Sequence, residues 1–323
     1  MESNEAPSKW IADWASPDDE ADLLALFQRA FGQQMPKALW QWKYAGVDCG
    51  GAIVRRDGRA VAFYGGIPRE VSLFGTQVPA VQIGDVMVDP CERGVLTRRG
   101  PFFQAATFYL SHNVGLGHNF PLAFGFPSQR AYRLGERLGI YAKVGEIMRV
   151  DWSARNVWPS LRLRTRPLLA SGAVAADWLW LEMADAFNRQ IIGVRDFAYL
   201  RRRYIEHPTI GYSVLLVSSR FSARPFGIIV VRDEGEELAL VDVVAPPERL
   251  AALVGIFRRL AWKLGKPKAY AWITAQHALL LAGESGVLAP IGVVVPAFRW
   301  QQGIPPAKID GHWWLMAGDT DFR

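Results

Sequence analysis

The spacing of apolar residues predicts a helix followed by antiparallel strands near the start of the chain. Apolar positions three and four residues apart, behind an acidic start, predict a helix over 18–31. Alternating apolar and polar residues predict a hairpin over 51–66 that turns at Asp57-Gly58. Two further stretches, 70–73 and 78–88, extend these strands into a meander.

Helix and strand patterns then alternate. A helix is predicted over 101–112, because Pro101 is suited to a first helical position and Gly100 precedes it. The apolar run 120–126 predicts a buried strand, and 128–138 a helix ended by Gly139.

This alternation stops at 151–175, where arginine, proline and small residues predict a linker. It resumes afterwards, so we expect one domain over 1–150 and another over 176–323. A length of 323 residues agrees with two domains of about 150 residues each.

The second domain resembles a diverged copy of the first. Three pairs of short segments recur in one order: 40–44 with 200–204, 85–90 with 242–246, and 126–131 with 273–278. One shared pattern could be chance, whereas three in the same order indicate a tandem duplication. The period is far too long for a solenoid, so two similar domains are expected.

Composition excludes several classes of protein. Half of the residues are hydrophobic, which excludes wholesale disorder, and no apolar run is long enough to span a membrane. Two cysteines, Cys49 and Cys91, cannot form a disulfide framework or a zinc knuckle, and no spacing suggests a metal. We therefore expect a cytoplasmic protein without a bound metal; the sequence does not indicate an oligomeric state.

The net charge of +6 comes with three arginine clusters, at 93–99, 162–166 and 201–203. Such clusters suit a nucleic acid, a phosphate-bearing small molecule or a solvated surface. The clusters are scattered and no nucleic-acid motif accompanies them, so no nucleic-acid partner is expected.

The best candidate for a phosphate site is the segment from Arg93 to Pro101. Phosphates require converging backbone N–H groups and positive charge. Gly94 and Gly100 allow close backbone approach, and the helix that begins at Pro101 directs its positive end toward the loop. Two further arginines, Arg98 and Arg99, add charge-assisted donors.

The order of these elements resembles the GNAT superfamily of acyl-CoA N-acyltransferases. The resemblance is carried by Trp40-Gln-Trp-Lys-Tyr44, Val88-Asp-Pro90 with Arg93-Gly94, and Gly125-Phe-Pro-Ser-Gln-Arg-Ala131 with Gly139. It is good over residues 10–150 and weak over 176–300. It implies an α/β (α+β) fold of two domains, each a mixed, mostly antiparallel sheet flanked by helices.

The resemblance also implies acetyl-CoA or another acyl-CoA as co-substrate. The expected donor-binding residues are Met87, Val88, Arg93, Gly94, Arg98, Arg99, Gly100 and Phe102. Two departures are evident. Leu96 stands where the family's loop has a glycine, and Gly135 stands where the family often has a tyrosine that acts as general acid toward the leaving thiolate. The second domain has two prolines and Glu248 in place of the glycine loop, which predicts that it has lost donor binding.

Aminolysis of a thioester requires a neutral amine and a route for its proton. Asp85 is the leading base, Gln82 can order a water, and His118 is a further candidate to carry the proton. Each has an ordinary structural alternative, a side chain bonded to backbone.

The amine acceptor has its own candidate residues. Trp40 and Tyr44 share a helical face and can form an aromatic wall or part of the core. Near the C-terminus, Asp319 and Asp321 follow a tryptophan pair and suit a cationic amine, or form a polar tail.

These residues favour an N-acyltransferase, most simply an acetyltransferase, acting on a small amine such as an amino-sugar, sugar nucleotide or amino acid. The alternative is a catalytically inactive GNAT-like protein that binds an acyl group, CoA or a partner.

Overall fold

The computed structural model describes residues 9–47, 50–155, 163–221, 224–300 and 302–320. The chain packs as two compact units, neither continuous in sequence. The first comprises Met1–Arg69, Pro79–Lys143 and Pro296–Lys308, and the second comprises Glu70–Val78, Val144–Val295 and Ile309–Arg323.

Fourteen strands form in the described part of the chain. They are β1 (Ile11–Trp14), β2 (Gly51–Arg56), β3 (Arg59–Leu73), β4 (Thr76–Val88), β5 (Leu122–Gly125), β6 (Tyr141–Ser153), β7 (Leu163–Pro167), β8 (Ile191–Gly193), β9 (Ser213–Ser219), β10 (Pro225–Glu234), β11 (Glu237–Val244), β12 (Lys268–Thr274), β13 (Val287–Phe298) and β14 (Trp313–Trp314).

The helices of the same residues are α1 (Glu20–Phe31), α2 (Lys37–Tyr44), α3 (Pro101–Asn113), α4 (Gln129–Arg137), α5 (Ala173–Ala186), α6 (Phe197–Leu200), α7 (Leu250–Lys263), α8 (Ala275–Ala282) and α9 (Pro306–Ile309). None of the helices in the described residues is long and apolar enough to cross a membrane.

The first unit is built on strands in the order β1-β2-β3-β4-β5. The pairs β1–β2 and β2–β3 are antiparallel, and β4–β5 is parallel because α3 carries the chain back between them. The predicted elements of this region are confirmed. The hairpin turns at Asp57 (φ 51°) and Gly58 (φ 79°), the two left-handed residues that a twisted two-residue turn requires.

Helices α1 and α2 bury their apolar stripes against this sheet. The resulting core cluster includes Leu23 and Leu26 of α1, Trp40 of α2, Phe63 of β3 and Met87 of β4. Burial of these side chains fixes α2 beside β4, which places the C-terminal turn of α2 next to the candidate site.

The second unit is built on strands in the order β13-β6-β12-β11-β10-β9-β7. Within this strand order the pair β11–β12 is parallel and is connected by α7, whereas the pairs β10–β11, β9–β10, β6–β12 and β7–β9 are antiparallel. The tip of the β3–β4 hairpin, Glu70–Val78, belongs to this unit and pairs with β8, which pairs in turn with β14. The expected fold class, two mostly antiparallel sheets flanked by helices, is confirmed.

Residues 151–175, which were predicted to be a linker, lie within the second unit. The described residues among them contain the end of β6, the whole of β7 and the start of α5. β7 is an edge strand that pairs antiparallel with β9, from Leu163 opposite Ser219 to Pro167 opposite Leu215. Arginine and proline on an edge strand give the polar, irregular pattern of a linker, because only one side of such a strand is paired.

Candidate functional site

Strand β4 bends sharply where it parts from its parallel neighbour. The pairing of β4 with β5 runs from Ala80 opposite Leu122 to Ile83 opposite Gly125, whereas β4 continues to Val88. Two residues beyond the last pair, Asp85 has φ 48°, in the left-handed region. Aspartate is one of the few residues besides glycine that enters this region readily. The pairing of the two strands has therefore ended before the bend, and we call the place beyond the last pair the donor gap.

The carboxylate of Asp85 is held by two neighbouring residues at the end of α2. Lys43 Nζ lies 2.9 Å from Oδ2 and 3.1 Å from Oδ1. The Tyr44 hydroxyl donates to Oδ2 at 2.8 Å. The side chains of Lys43 and Asp85 are only 2% and 6% exposed, so this is a buried ion pair. Gly65 makes room for it, since a Cβ there would lie 2.3 Å from the Tyr44 hydroxyl.

The loop Arg93–Gly100, which we call the donor loop, leads from β4 into α3. Gly100 is required by close packing, since a Cβ there would lie 2.1 Å from the carbonyl oxygen of Val95. No side chain caps the first turn of α3, which begins at Pro101. Arg98 and Arg99 are exposed in the same loop. Backbone N–H groups of a helix start together with exposed guanidinium groups fit a pyrophosphate.

Two other residues of the donor loop have different surroundings. Arg93 Nε donates to the carbonyl oxygen of Val88 at 3.0 Å, and Nη2 donates to that of Ala30 at 2.5 Å. Arg93 therefore ties the end of α1 to the end of β4. Gly94 is exposed, and a Cβ there would meet nothing within 4 Å.

The remaining donor-binding candidates lie on either side of this loop. Met87 is buried in the core beneath α1, so its backbone is the part that can face a ligand. Phe102, in the first turn of α3, is half-buried, and its ring centroid lies 6.4 Å from those of Tyr64 and Tyr141. The hydroxyls of these two tyrosines are 3.0 Å apart.

Tyr141 fills the space beside Gly135, where the resemblance places a tyrosine on the helix. A Cβ at position 135 would lie 2.1 Å from Cδ2 of the Tyr141 ring. Burial raises the pKa of Tyr141 well above its usual value, so the phenol keeps its proton. Tyr132, one turn earlier on α4, points elsewhere and donates to Glu136 at 2.7 Å. Burial and that carboxylate raise the pKa of Tyr132 to about 12.

Gln82 lies on β4 shortly before the bend and is fully buried. Arg69 donates to its Oε1 twice, from Nε at 2.8 Å and from Nη2 at 2.6 Å. Its Nε2 has no partner in the described part of the protein. A buried donor of this kind is available to a water or a ligand atom.

The structure places His118 away from the bend. It is exposed in the loop after α3, where Nδ1 lies 3.2 Å from the carbonyl oxygen of His112. The 13 residues of α3 span about 20 Å, and the donor loop is at the opposite end of that helix. His118 therefore does not join Asp85 and the donor loop.

The candidate residues for the amine acceptor have different surroundings. Trp40 is buried in the core and packs against Tyr44 and Phe63, with ring centroids 4.5 and 5.4 Å away. Asp319 belongs to the second unit, where it is buried and receives a hydrogen bond from Arg195 at 2.6 Å. Asp321 lies outside the described residues. Within the first unit, Tyr44 is the acceptor candidate that contacts Asp85.

Lys43, which lies within the Trp40–Tyr44 segment, was not among the predicted site residues. A signal was present, because a lysine among the aromatic residues of a helix requires a partner when it is buried. Its partner is 42 positions away on β4, and nothing local indicates that contact. No group of three or more metal-binding side chains occurs among the residues that the structure describes.

Comparisons with known proteins concern the family and the fold. Residues 13–105 match the family model of an acetyltransferase (GNAT) domain. No curated protein sequence matches the chain. Among solved structures, a probable N-acyltransferase of unknown function from Enterococcus faecalis V583 has a TM-score of 0.70 at 12% identity, covering 90% of this chain and 73% of that one.

Two further structures show the same fold. A GCN5-related N-acetyltransferase from Kribbella flavida has a TM-score of 0.65 at 18% identity, over 90% of this chain and 70% of that one. Saccharomyces cerevisiae N-myristoyltransferase with bound myristoyl-CoA has a TM-score of 0.56 at 12% identity, over 93% and 85% of the two chains. At these identities the likeness establishes the fold.

Proposed function

We propose that this chain, which carries a GNAT domain at residues 13–105 and has the GNAT fold, is an acyl-CoA-dependent N-acyltransferase. The observation that carries the proposal is the left-handed backbone of Asp85 on β4, just beyond the end of the pairing with β5, in the unit that also holds the uncapped start of α3. We further propose that the acyl group is acetyl. The acceptor is a small amine, of the class of amino-sugars, sugar nucleotides or amino acids.

The donor loop holds the phosphate end of the donor. Arg98 and Arg99 supply charge, and the N–H groups at the start of α3 supply directed donors. Beyond the bend, the backbone at Met87 and Val88 orients the acyl end of the acyl-CoA. Phe102 covers the part of the acyl-CoA between its phosphates and its acyl group. An acyl-CoA supplies an acyl group activated as a thioester.

Asp85 accepts the proton of the incoming amine in this proposal. Lys43 and Tyr44 fix its carboxylate in one orientation, through hydrogen bonds to its two oxygens. Such a carboxylate stays at one place beside the gap, which is what a general base requires. Gln82, with a buried N–H group lacking a partner in the described residues, positions a water or the acyl oxygen.

The alternative is a GNAT-like protein that binds an acyl-CoA or a partner without turnover. One observation favours it: the phenol beside α4 belongs to Tyr141, which is buried and hydrogen-bonded to Tyr64. A phenol so enclosed would not reach a departing thiolate. Turnover with an amine acceptor separates the two functions, whereas both predict that CoA binds.

Calorimetric titration of CoA tests the donor site. The double variant Arg98→Ala/Arg99→Ala should weaken binding by about 1–3 kcal/mol for each charge-assisted hydrogen bond that it removes. The control is Arg201→Ala/Arg202→Ala, which removes the same charge from an exposed pair in the second unit.

Equal CoA affinity in the wild type and the Arg98/Arg99 double variant would exclude the donor loop as the phosphate site. A decrease of the same size in the control would show that only net charge matters. Mass spectrometry of acyl-CoA that co-purifies with the wild type identifies the acyl group.

A further inference from the structure

The two repeats share one hydrogen bond at matching positions. In the first unit the Tyr44 hydroxyl donates to Oδ2 of Asp85 at 2.8 Å. In the second unit the Tyr204 hydroxyl donates to Oδ2 of Asp242 at 2.7 Å. These four residues occupy corresponding places in the paired segments 40–44 with 200–204 and 85–90 with 242–246. The pattern supports a common origin of the two halves.

The strands that carry these aspartates also part in the same way. The parallel pairing of β4 with β5 ends at Ile83, two residues before Asp85. The parallel pairing of β11 with β12 ends at Leu240 opposite Ala271, two residues before Asp242. An irregularity in the register of β10 with β11 falls at the same point. The second unit therefore has its own gap between diverging parallel strands.

The segment Trp313–Thr320, which we call the C-terminal segment, touches both strands beyond the end of their pairing. On the β12 side, Thr274 N–H donates to the carbonyl oxygen of Leu315 at 3.0 Å, and Ile273 forms a bridge with Met316. The Thr274 hydroxyl also donates to the carbonyl oxygen of Trp313. The segment thus continues the sheet at the edge that β11 has left.

On the β11 side, the C-terminal segment is joined to Asp242 by a buried cation. Arg195 Nε donates to Asp242 Oδ1 at 2.9 Å, and Nη2 donates to Asp319 Oδ2 at 2.6 Å. Neither the Arg195 nor the Asp242 side chain is exposed. Two carboxylates around one guanidinium form a satisfied buried network, which is costly to break at any one member.

The backbone of the C-terminal segment is held as closely as its side chains. Arg203 Nε donates to the carbonyl oxygen of Gly318 at 2.9 Å, and Nη2 donates to that of Thr320 at 2.8 Å. Gly318 leaves no space, since a Cβ there would lie 1.9 Å from the Tyr204 hydroxyl. The segment is therefore fitted against the shared tyrosine–aspartate pair itself.

We propose that the C-terminal segment closes the second repeat's equivalent of the donor gap, acting as a built-in ligand where the first repeat takes acyl-CoA. This inference rests on the proposed function for the role of the first gap. The segment after β11 agrees with it: Pro246 and Pro247 replace the donor loop and lack backbone N–H groups. A chain closed in this way binds one acyl-CoA, in its first unit.

Amide hydrogen exchange on the full chain tests the closure. The Thr274 amide should be strongly protected, comparably to Val230 in the middle of β10. Gly318→Ala should raise exchange at Thr274 at least tenfold while Val230 keeps its protection, because the added methyl displaces the segment from Tyr204. Adding Tyr204→Phe removes the nearest atom and should return most of that protection. The control is Gly255→Ala, where a Cβ meets nothing within 4 Å.

Unchanged exchange at Thr274 in Gly318→Ala would overturn the proposal. So would two CoA molecules per wild-type chain in a titration, a measurement that does not depend on any variant folding. A chain that binds no CoA contradicts the proposed function of the first unit instead, and the exchange result then still decides whether the segment closes the second gap.

Discussion

Replacing both members of the Lys43–Asp85 ion pair separates a chemical role of Asp85 from a structural one. The variants are Asp85→Asn, Lys43→Met and the double change. Asparagine has the shape of aspartate and also adopts left-handed backbone readily, so the bend at φ 48° should persist. Each single change leaves one buried charge without its counterion; the double change leaves neither.

The burial of the pair sets the expected size of the effect. With the Lys43 and Asp85 side chains only 2% and 6% exposed, each single variant should lose about 3–5 kcal/mol of unfolding free energy. The double variant should recover most of that loss, because removing both charges also removes their desolvation cost. A general base contributes about 10²–10⁴ in rate, and the double variant cannot recover this.

The assay is urea unfolding of all four proteins beside turnover against pH with an identified amine acceptor. We expect the double variant to be nearly as stable as the wild type and still at least about a hundredfold slower at neutral pH. Its rate should rise in alkaline buffer, where more of the amine is already neutral. A double variant that recovers turnover together with stability would refute Asp85 as proton acceptor. Single variants with wild-type stability would refute the buried ion pair.

Three further results are expected. Gly135→Ala should destabilise the protein by about 1–3 kcal/mol in urea unfolding, because its Cβ would lie 2.1 Å from the buried Tyr141 ring, whereas Gly255→Ala on α7 should be neutral or stabilising. Burial and His312 lower the pKa of His277 to about 4. The unfolded chain therefore binds a proton at a higher pH than the folded protein does, and the free energy of unfolding falls as the pH drops from about 6.5 toward 4, by up to about 1.4 kcal/mol per pH unit. His277→Phe should flatten this part of the curve of unfolding free energy against pH. Glu248→Ala should leave the number of bound CoA molecules at one, since removing a charge restores no N–H donor to the second repeat; a second binding event would contradict this.

The local elements of the first unit follow from the amino-acid sequence alone. The helix at 18–31, the turn at Asp57-Gly58 and the helix ended by Gly139 all appear, the first starting two residues later, at Glu20. Each is encoded within a few residues, by apolar spacing or by a position that requires left-handed backbone. The order of those elements also indicated the GNAT fold before any contact was known.

Which of the candidate residues contact one another depends on the tertiary structure. Asp85 was identified from its strand, but its pairing with Lys43 depends on α2 packing beside β4, 42 positions away. Trp40 packs in the core. Asp319 accepts a hydrogen bond from Arg195, which lies 124 positions away in the sequence. Within the predicted linker, residues 163–167 form a strand because they pair with β9. Contacts between distant segments depend on how whole helices and strands pack. The spacing of nearby residues in the sequence therefore does not predict them.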